Sequence, residues 1–174
     1  ALFLTISTNF MVEELGIRPD QLGLLETIRE VPGLLAVLTG AMVMLVAEPL
    51  VGLIALVLLG IGYVNYFHVQ SIETLIVFSV IGSVGFHLWW PVSNTIALRL
   101  SAPEIQGRRL GQLRSVTAVA QLVGVGIVAL FVAGIGIRPL FIVSGAIVVV
   151  GGLMVFRIRG LRRVRSTQRL VLRR

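Results

Sequence analysis

The sequence predicts an all-α membrane protein, a polytopic helical bundle, on three observations. Of its 174 residues 56% are hydrophobic and only 13% charged, against roughly a quarter charged in soluble domains, so the chain cannot cover its own surface with polar groups. Mean hydropathy is +0.99, and apolar runs of about 20 residues, the length that crosses a ~30 Å hydrocarbon core, recur along most of it. These runs lack the alternation of a barrel strand, and a helix satisfies its own backbone in lipid.

The elements follow in order. "ALFLTISTNF" (1–10) is apolar but too short to span, and has no basic flank or cleavage site of a signal peptide. It is expected to be the end of a first helix, and the chain a fragment of a longer one. An acidic loop, "MVEELGIRPD", leads into a second helix at 20–47. Pro49 opens the third, 49–67, which ends in "NYFHVQS" with Tyr63 and Tyr66 where an interfacial aromatic belt sits. The fourth covers 72–100, and "SAPEIQGRR" turns the chain into the fifth, 107–134. After "AGIGIRP" the sixth runs over 139–157, so that a bundle at 1–157 precedes a basic tail at 158–174. The third and sixth carry no charge within their apolar runs and are expected to face lipid over much of their circumference.

A formal charge of +7 and a pI near 11.6 would suggest nucleic acid in a soluble protein. Here eight of the fifteen arginines follow Val155, so the excess is a local tail and no nucleic-acid partner is expected. A tail with no acid fits a topology determinant in contact with anionic headgroups. The loops at 11–20, 68–71 and 134–138 hold only Arg18 and Arg138. The opposite side holds Arg99, Arg108, Arg109 and the eight of the tail. Two against eleven places the arginine-rich side in the cytoplasm, as expected for a multi-pass protein of the plasma (cytoplasmic) membrane. With no cysteine there is neither a disulfide nor a thiolate metal site.

Polar residues concentrate on three helices. In "FHLWWPVSNTIALRL" (86–100) and the turn before it, Ser83, His87, Trp90 and Asn94 fall within an arc of about 60° at 100° per residue. Trp89, Gly82 and Gly85 point elsewhere, the glycines suiting close packing. Pro91 removes one backbone hydrogen bond at the same level. The polar arc has two readings: the lining of a solute cavity, or hydrogen-bonding glue between helices. On the second helix Glu26, Glu30 and Gly33 share a face with Arg29 beside it. One arginine against two acids leaves an acid over, which suits proton or cation coupling; the other reading is a cluster snorkelling to the outer interface. On the fifth, Arg114, Thr117, Ala118 and Gln121 form a stripe, and Arg114 either holds an anionic substrate or reaches cytoplasmic headgroups. Ser83 and His87 have the spacing of a catalytic dyad, but no third member or oxyanion motif accompanies them, so no enzyme is expected. No metal site is expected either, since His68 and His87 lie on different helices at different depths, and no cofactor.

Six helices with both ends inside, apolar third and sixth spans, and polar faces on the second, fourth and fifth make a pattern that resembles the N-terminal half of a major facilitator superfamily transporter. "LGIRPDQLGLLETIREVPGLLAVLTG" is similar to the family's entry into its second helix, ending at Gly40. "SAPEIQGRRLGQLRSVTAVAQLVG" is similar to its turn between the fourth and fifth, where Glu104, Gly107, Arg108 and Arg109 precede a small-residue helix. The resemblance implies a cavity lined by the first and fourth helices and flanked by the second and fifth. It also implies a cytoplasmic gate at Gly40, Glu104, Gly107, Arg108 and Arg109, and a missing C-terminal half as partner. The chain departs from the pattern after Gly40, with Met44 and Leu45 where the family has an Asp-Arg pair and Glu48 where it has a base. It also lacks the Gly-Pro signature of drug–proton antiporters, reading "GVGIVAL" after Val123.

The function so implied is secondary active transport of a small solute by alternating access. The alternative, which the altered loop signature suggests, is a membrane scaffold or accessory subunit of transporter-like fold.

Overall fold

The computed structural model describes residues 2–34 and 47–158. In chain order these form α1 (Leu2–Asn9, continued by a π-helical turn over Phe10–Glu14), α2 (Pro19–Leu34), α3 (Glu48–Asn65, extended by a 3-10 turn at Tyr66–His68) and α4 (Ile72–Arg99). A 3-10 turn at Pro103–Ile105 then leads into α5 (Gln106–Ile135), followed by α6 (Arg138–Arg157). No strand occurs among the described residues. The inner half of the span expected at 20–47, with Gly40, Met44 and Leu45, lies outside the described residues, as does the tail beyond Ile158.

Local chemistry sets the boundaries. Ser71 and Thr74 form a reciprocal capping box at the start of α4, satisfying backbone donors that the first turn leaves open. Pro49 and Pro139 occupy first-turn positions of α3 and α6, where a missing N–H costs nothing. The turns between α1 and α2 and between α5 and α6 pass through Gly16 (φ 63°) and Gly136 (φ 75°), backbone conformations that L side chains rarely adopt. Four described helices are long and apolar enough to cross a membrane: Glu48–His68, Ile72–Arg99, Pro103–Ile135 and Arg138–Arg157.

The centre of the packing is α3, held between α4 and α6. Glycine makes both contacts possible. A Cβ on Gly62 would lie 2.6 Å from the Cα of Gly82, and one on Gly85 would strike the backbone of Ala55 and Leu59. On the other side of α3, Gly60 meets Gly145 of α6 backbone to backbone. Such close approach replaces the hydrophobic drive that is absent between helices in lipid. The expectation that α3 faces lipid over much of its circumference is therefore corrected: glycines on two sides of it bring α4 and α6 into close contact, and its exposed face is narrowed to residues such as Leu50, Ile54 and Ile61. Among the described helices of membrane length the most open is α5, which rests lightly on α1 and α4 and exposes Val116, Val119, Leu122 and Leu130.

Each end of the bundle has its own ionic tie. At one, Arg138 Nε donates to Glu14 at 2.8 Å, and its Nη1 donates to the carbonyls of Phe67 and Val69, each at 2.9 Å. This joins the end of α1, the end of α3 and the start of α6, the loops expected outside. At the other end Glu48, in the first turn of α3, pairs with Arg99 in the last turn of α4. An acid at a helix start and a base at a helix end also complement the two macrodipoles. The residue that departs from the family pattern thus has a partner.

Candidate functional site

The site lies where α2 crosses α4. His87 is the sixteenth of the 28 residues of α4, about 22 Å from its start at 1.5 Å per residue. The approach is close because α2 presents Gly33 there: a Cβ would sit 2.6 Å from His87 Nε2. Ser83, one turn earlier and buried, donates its hydroxyl to the main-chain carbonyl of Arg29 on α2. His87 Nδ1 lies 3.1 Å from Ser83 Oγ and 3.0 Å from the Ser83 carbonyl oxygen. On its other edge Nε2 faces Glu30 Oε2 at 3.3 Å.

The charges of α2 converge on the same place. Arg29 pairs with Glu26 one turn back, and its Nε lies 3.9 Å from Glu30. Two clusters that the sequence kept on separate helices therefore form one: Glu26, Arg29 and Glu30 from α2, Ser83 and His87 from α4. The acid left over by Arg29 has the imidazole as its partner. Glu30 meets α4 at His87, about half-way along that helix, with its own side chain still 60% exposed.

Beside this cluster is a cleft of about 110 Å³, room for several water molecules. Its walls are mostly apolar and aromatic, with Phe3, Tyr63, Tyr66 and Phe86 around Ser79 and Gly82. Phe3 stacks on Tyr63 with ring centroids 3.7 Å apart, and the Tyr66 hydroxyl shares a 2.5 Å hydrogen bond with Ser79 Oγ. Tyr66 is buried. The tyrosines are thus interior walls, which corrects the belt expected from their place near a helix end. The signal that would have found them is the pairing of Tyr63 and Tyr66 at i, i+3 with Ser79 and Ser83 at i, i+4 on the next helix.

The remaining arc of α4 faces a different neighbour. Trp90 lies under the Arg114 guanidinium of α5, 4.3 Å from its ring, and is exposed on its other side. Asn94 is half-buried a turn further on, and Gln121 is exposed two turns beyond Arg114. Trp89 packs instead against Gly52 of α3, beside Val51 and Val92. Of the residues expected at the cytoplasmic gate, Gly40 lies outside the described residues, and the rest sit at the turn between α4 and α5. Glu104, Gly107, Arg108 and Arg109 are exposed, and Arg109 bonds only to Gln112 on its own helix at 3.0 Å among the described residues.

The described helices bring charged and polar side chains together at mid-helix, with apolar runs of membrane length around them. The family model for the Major Facilitator Superfamily matches residues 1–171. The chain belongs to that superfamily. No curated protein matches it in sequence. Members of the superfamily are transporters, integral multi-pass proteins of membranes that carry small solutes. Among the described residues of this member, the α2–α4 crossing brings together Glu26, Arg29, Glu30, Ser83 and His87.

Proposed function

We propose that the chain acts in secondary active transport of a small solute across the cytoplasmic membrane by alternating access. The solute meets the cleft between α2, α3 and α4. The observation that supports this is the joined cluster Glu26–Arg29–Glu30–His87 beside an aromatic-walled cleft. An ionised side chain at mid-membrane costs about 2.5–3.5 kcal/mol on insertion scales, a cost that purely structural packing of α2 on α4 does not require. Arg29 and Glu30 supply charge, Ser83 and the tyrosine hydroxyls supply hydrogen bonds, and the aromatic rings supply a flat apolar wall for a small ligand.

The test is a thermal-shift screen of a panel of small solutes against the purified protein, followed by uptake of each hit into proteoliposomes. A ligand at 100 times its Kd stabilises by about 2.7 kcal/mol. A hit is expected to be carried, and its affinity and its uptake each to fall at least tenfold in Ser83→Ala and Arg29→Gln, which at the same ligand concentration roughly halves the stabilisation. Solutes that bind but are never carried would instead support a scaffold or accessory role.

A further inference from the structure

We propose that His87 and Glu30 hold one exchangeable proton between them, and that this proton latches α2 onto α4. The argument is hydrogen-bond bookkeeping around the imidazole. Ser83 Oγ has committed its only hydrogen to the Arg29 carbonyl, so towards His87 it acts as an acceptor. The Ser83 carbonyl oxygen is an acceptor by nature. Nδ1 therefore faces two acceptors and carries a hydrogen in every state that keeps these contacts. That fixes what remains at Nε2, 3.3 Å from Glu30 Oε2.

With one proton in that contact, either imidazolium faces carboxylate or a neutral imidazole accepts from a carboxylic acid. Both are attractive, and which atom bears the proton is a property of the pair. When the proton leaves to water, a lone pair on Nε2 faces an ionised carboxylate and the contact repels. A second proton leaves imidazolium donating to the carbonyl oxygen of the acid, and the helices stay together. The latch is therefore present at low pH and lost as pH rises through the titration of the pair. Among the described residues, the other charged or titratable groups facing it are Glu26 and Arg29 on α2, which pair with each other while Arg29 Nε also lies 3.9 Å from Glu30, and the hydroxyls of Tyr63 and Tyr66 from α3 across the cleft. From α1 the cleft receives only Phe3 and Leu4. Arg114 of α5 lies over Trp90 instead.

Gly33 makes the device compact, since any side chain there would displace the ring. The Ser83 bond gives the two helices a second contact that does not titrate, so release of the proton loosens the crossing without freeing it. The latch is a property of the helix pair; its use in coupling proton movement to solute movement rests on the transport reading.

The experiment uses the natural absence of cysteine in this chain. Spin labels at Leu24→Cys and Val77→Cys, both exposed, report the separation of α2 and α4 in lipid nanodiscs. The pH is varied from about 5 to 9, the range in which imidazole chemistry changes charge. The short-distance population is expected to dominate at the acid end. Its ratio to the long one should fall as pH rises. In Glu30→Gln the new amide donates to Nε2, and in His87→Gln the new amide donates to Glu30. Both variants should keep the short distance at every pH, whereas Glu30→Leu should lose it at every pH. A pH-independent distance in the parent, or a parental pH response retained in Glu30→Gln, would overturn the latch. These distances are read without solute, so a failure of the transport reading leaves them unchanged, and a failed latch leaves solute uptake to be judged separately.

Discussion

Arg138 and Arg29 are both arginines drawn into a bundle that has few charges, and they behave as opposites. Arg138 meets one carboxylate, two main-chain carbonyls and the Phe10 ring 5.0 Å away. One acid balances one base, and nothing else in that set changes its charge near neutral pH. Arg29 meets two acids, one of which is shared with an imidazole. The first arrangement is complete and acts as a weld between α1, α3 and α6. The second is one proton away from repelling itself. What the two charges do differs with their partners: a single carboxylate for Arg138, and for Arg29 a second acid shared with an imidazole.

Breaking the weld should therefore give the largest effect on stability and none on pH response. Arg138→Ala removes the ion pair and leaves the Phe67 and Val69 carbonyls without their donor. Hydrogen bonds to charged groups contribute about 1.5–3 kcal/mol each when well shielded. These groups are only partly shielded, so a total loss of about 2–3 kcal/mol is expected in reversible unfolding. The pH dependence of the α2–α4 distance should stay as in the parent. A variant as stable as the parent would mean that the outer tie is solvent-screened and contributes nothing.

A second contrast sharpens the difference between the packed centre and the open flank. Gly85→Ala forces a methyl into the backbone of Ala55 and Leu59, and overpacking of this kind costs about 1–3 kcal/mol. Gly111→Ala on α5 meets nothing within 4 Å and gains helix propensity, so it should stabilise by up to about 1 kcal/mol. Thermal unfolding of the two variants side by side decides the matter. Equal effects would show that α5 is covered as tightly as α3.

Much of this was legible in the sequence, and the failures have a common cause. Run length and the absence of charge place helices well, because bilayer thickness fixes the one and insertion energetics the other. The same signals carry nothing about which helix is central. The third span read as lipid-facing because it is uniformly apolar, yet its glycines at 52, 60 and 62 were the evidence that other backbones approach it. Periodicity put Ser83 and His87 on one arc, but could not show that Arg29 and Glu30 lie opposite them. That is a relation between helices, and a single sequence records only relations along one. Trp90 shared the arc and faces α5 instead, because an arc of about 60° is wide enough to touch two neighbours.

The two adjacent tryptophans give the subtlest test of that divided arc. Trp89 fills a contact with Gly52 of α3, so Trp89→Phe removes packing and should cost about 1 kcal/mol of stability. Transport per molecule in the membrane should remain near the parental rate. Trp90 presents its face to Arg114, an interaction of about 0.5–1 kcal/mol at an exposed site and weaker with phenylalanine. Trp90→Phe should therefore change stability by less than about 1 kcal/mol and, if Arg114 takes part in transport, lower transport severalfold, because it loosens the guanidinium that lies over the ring. Pairing it with Arg114→Gln distinguishes a shared action from two separate ones: if the ring acts by holding the guanidinium, the double variant should be no worse than Arg114→Gln alone. Normal transport in Trp90→Phe together with abolished transport in Trp89→Phe, at equal protein levels, would place the functional face of α4 on the Gly52 side of α3, away from the cleft. The Ser83–His87 arc would then be hydrogen-bonding glue between helices.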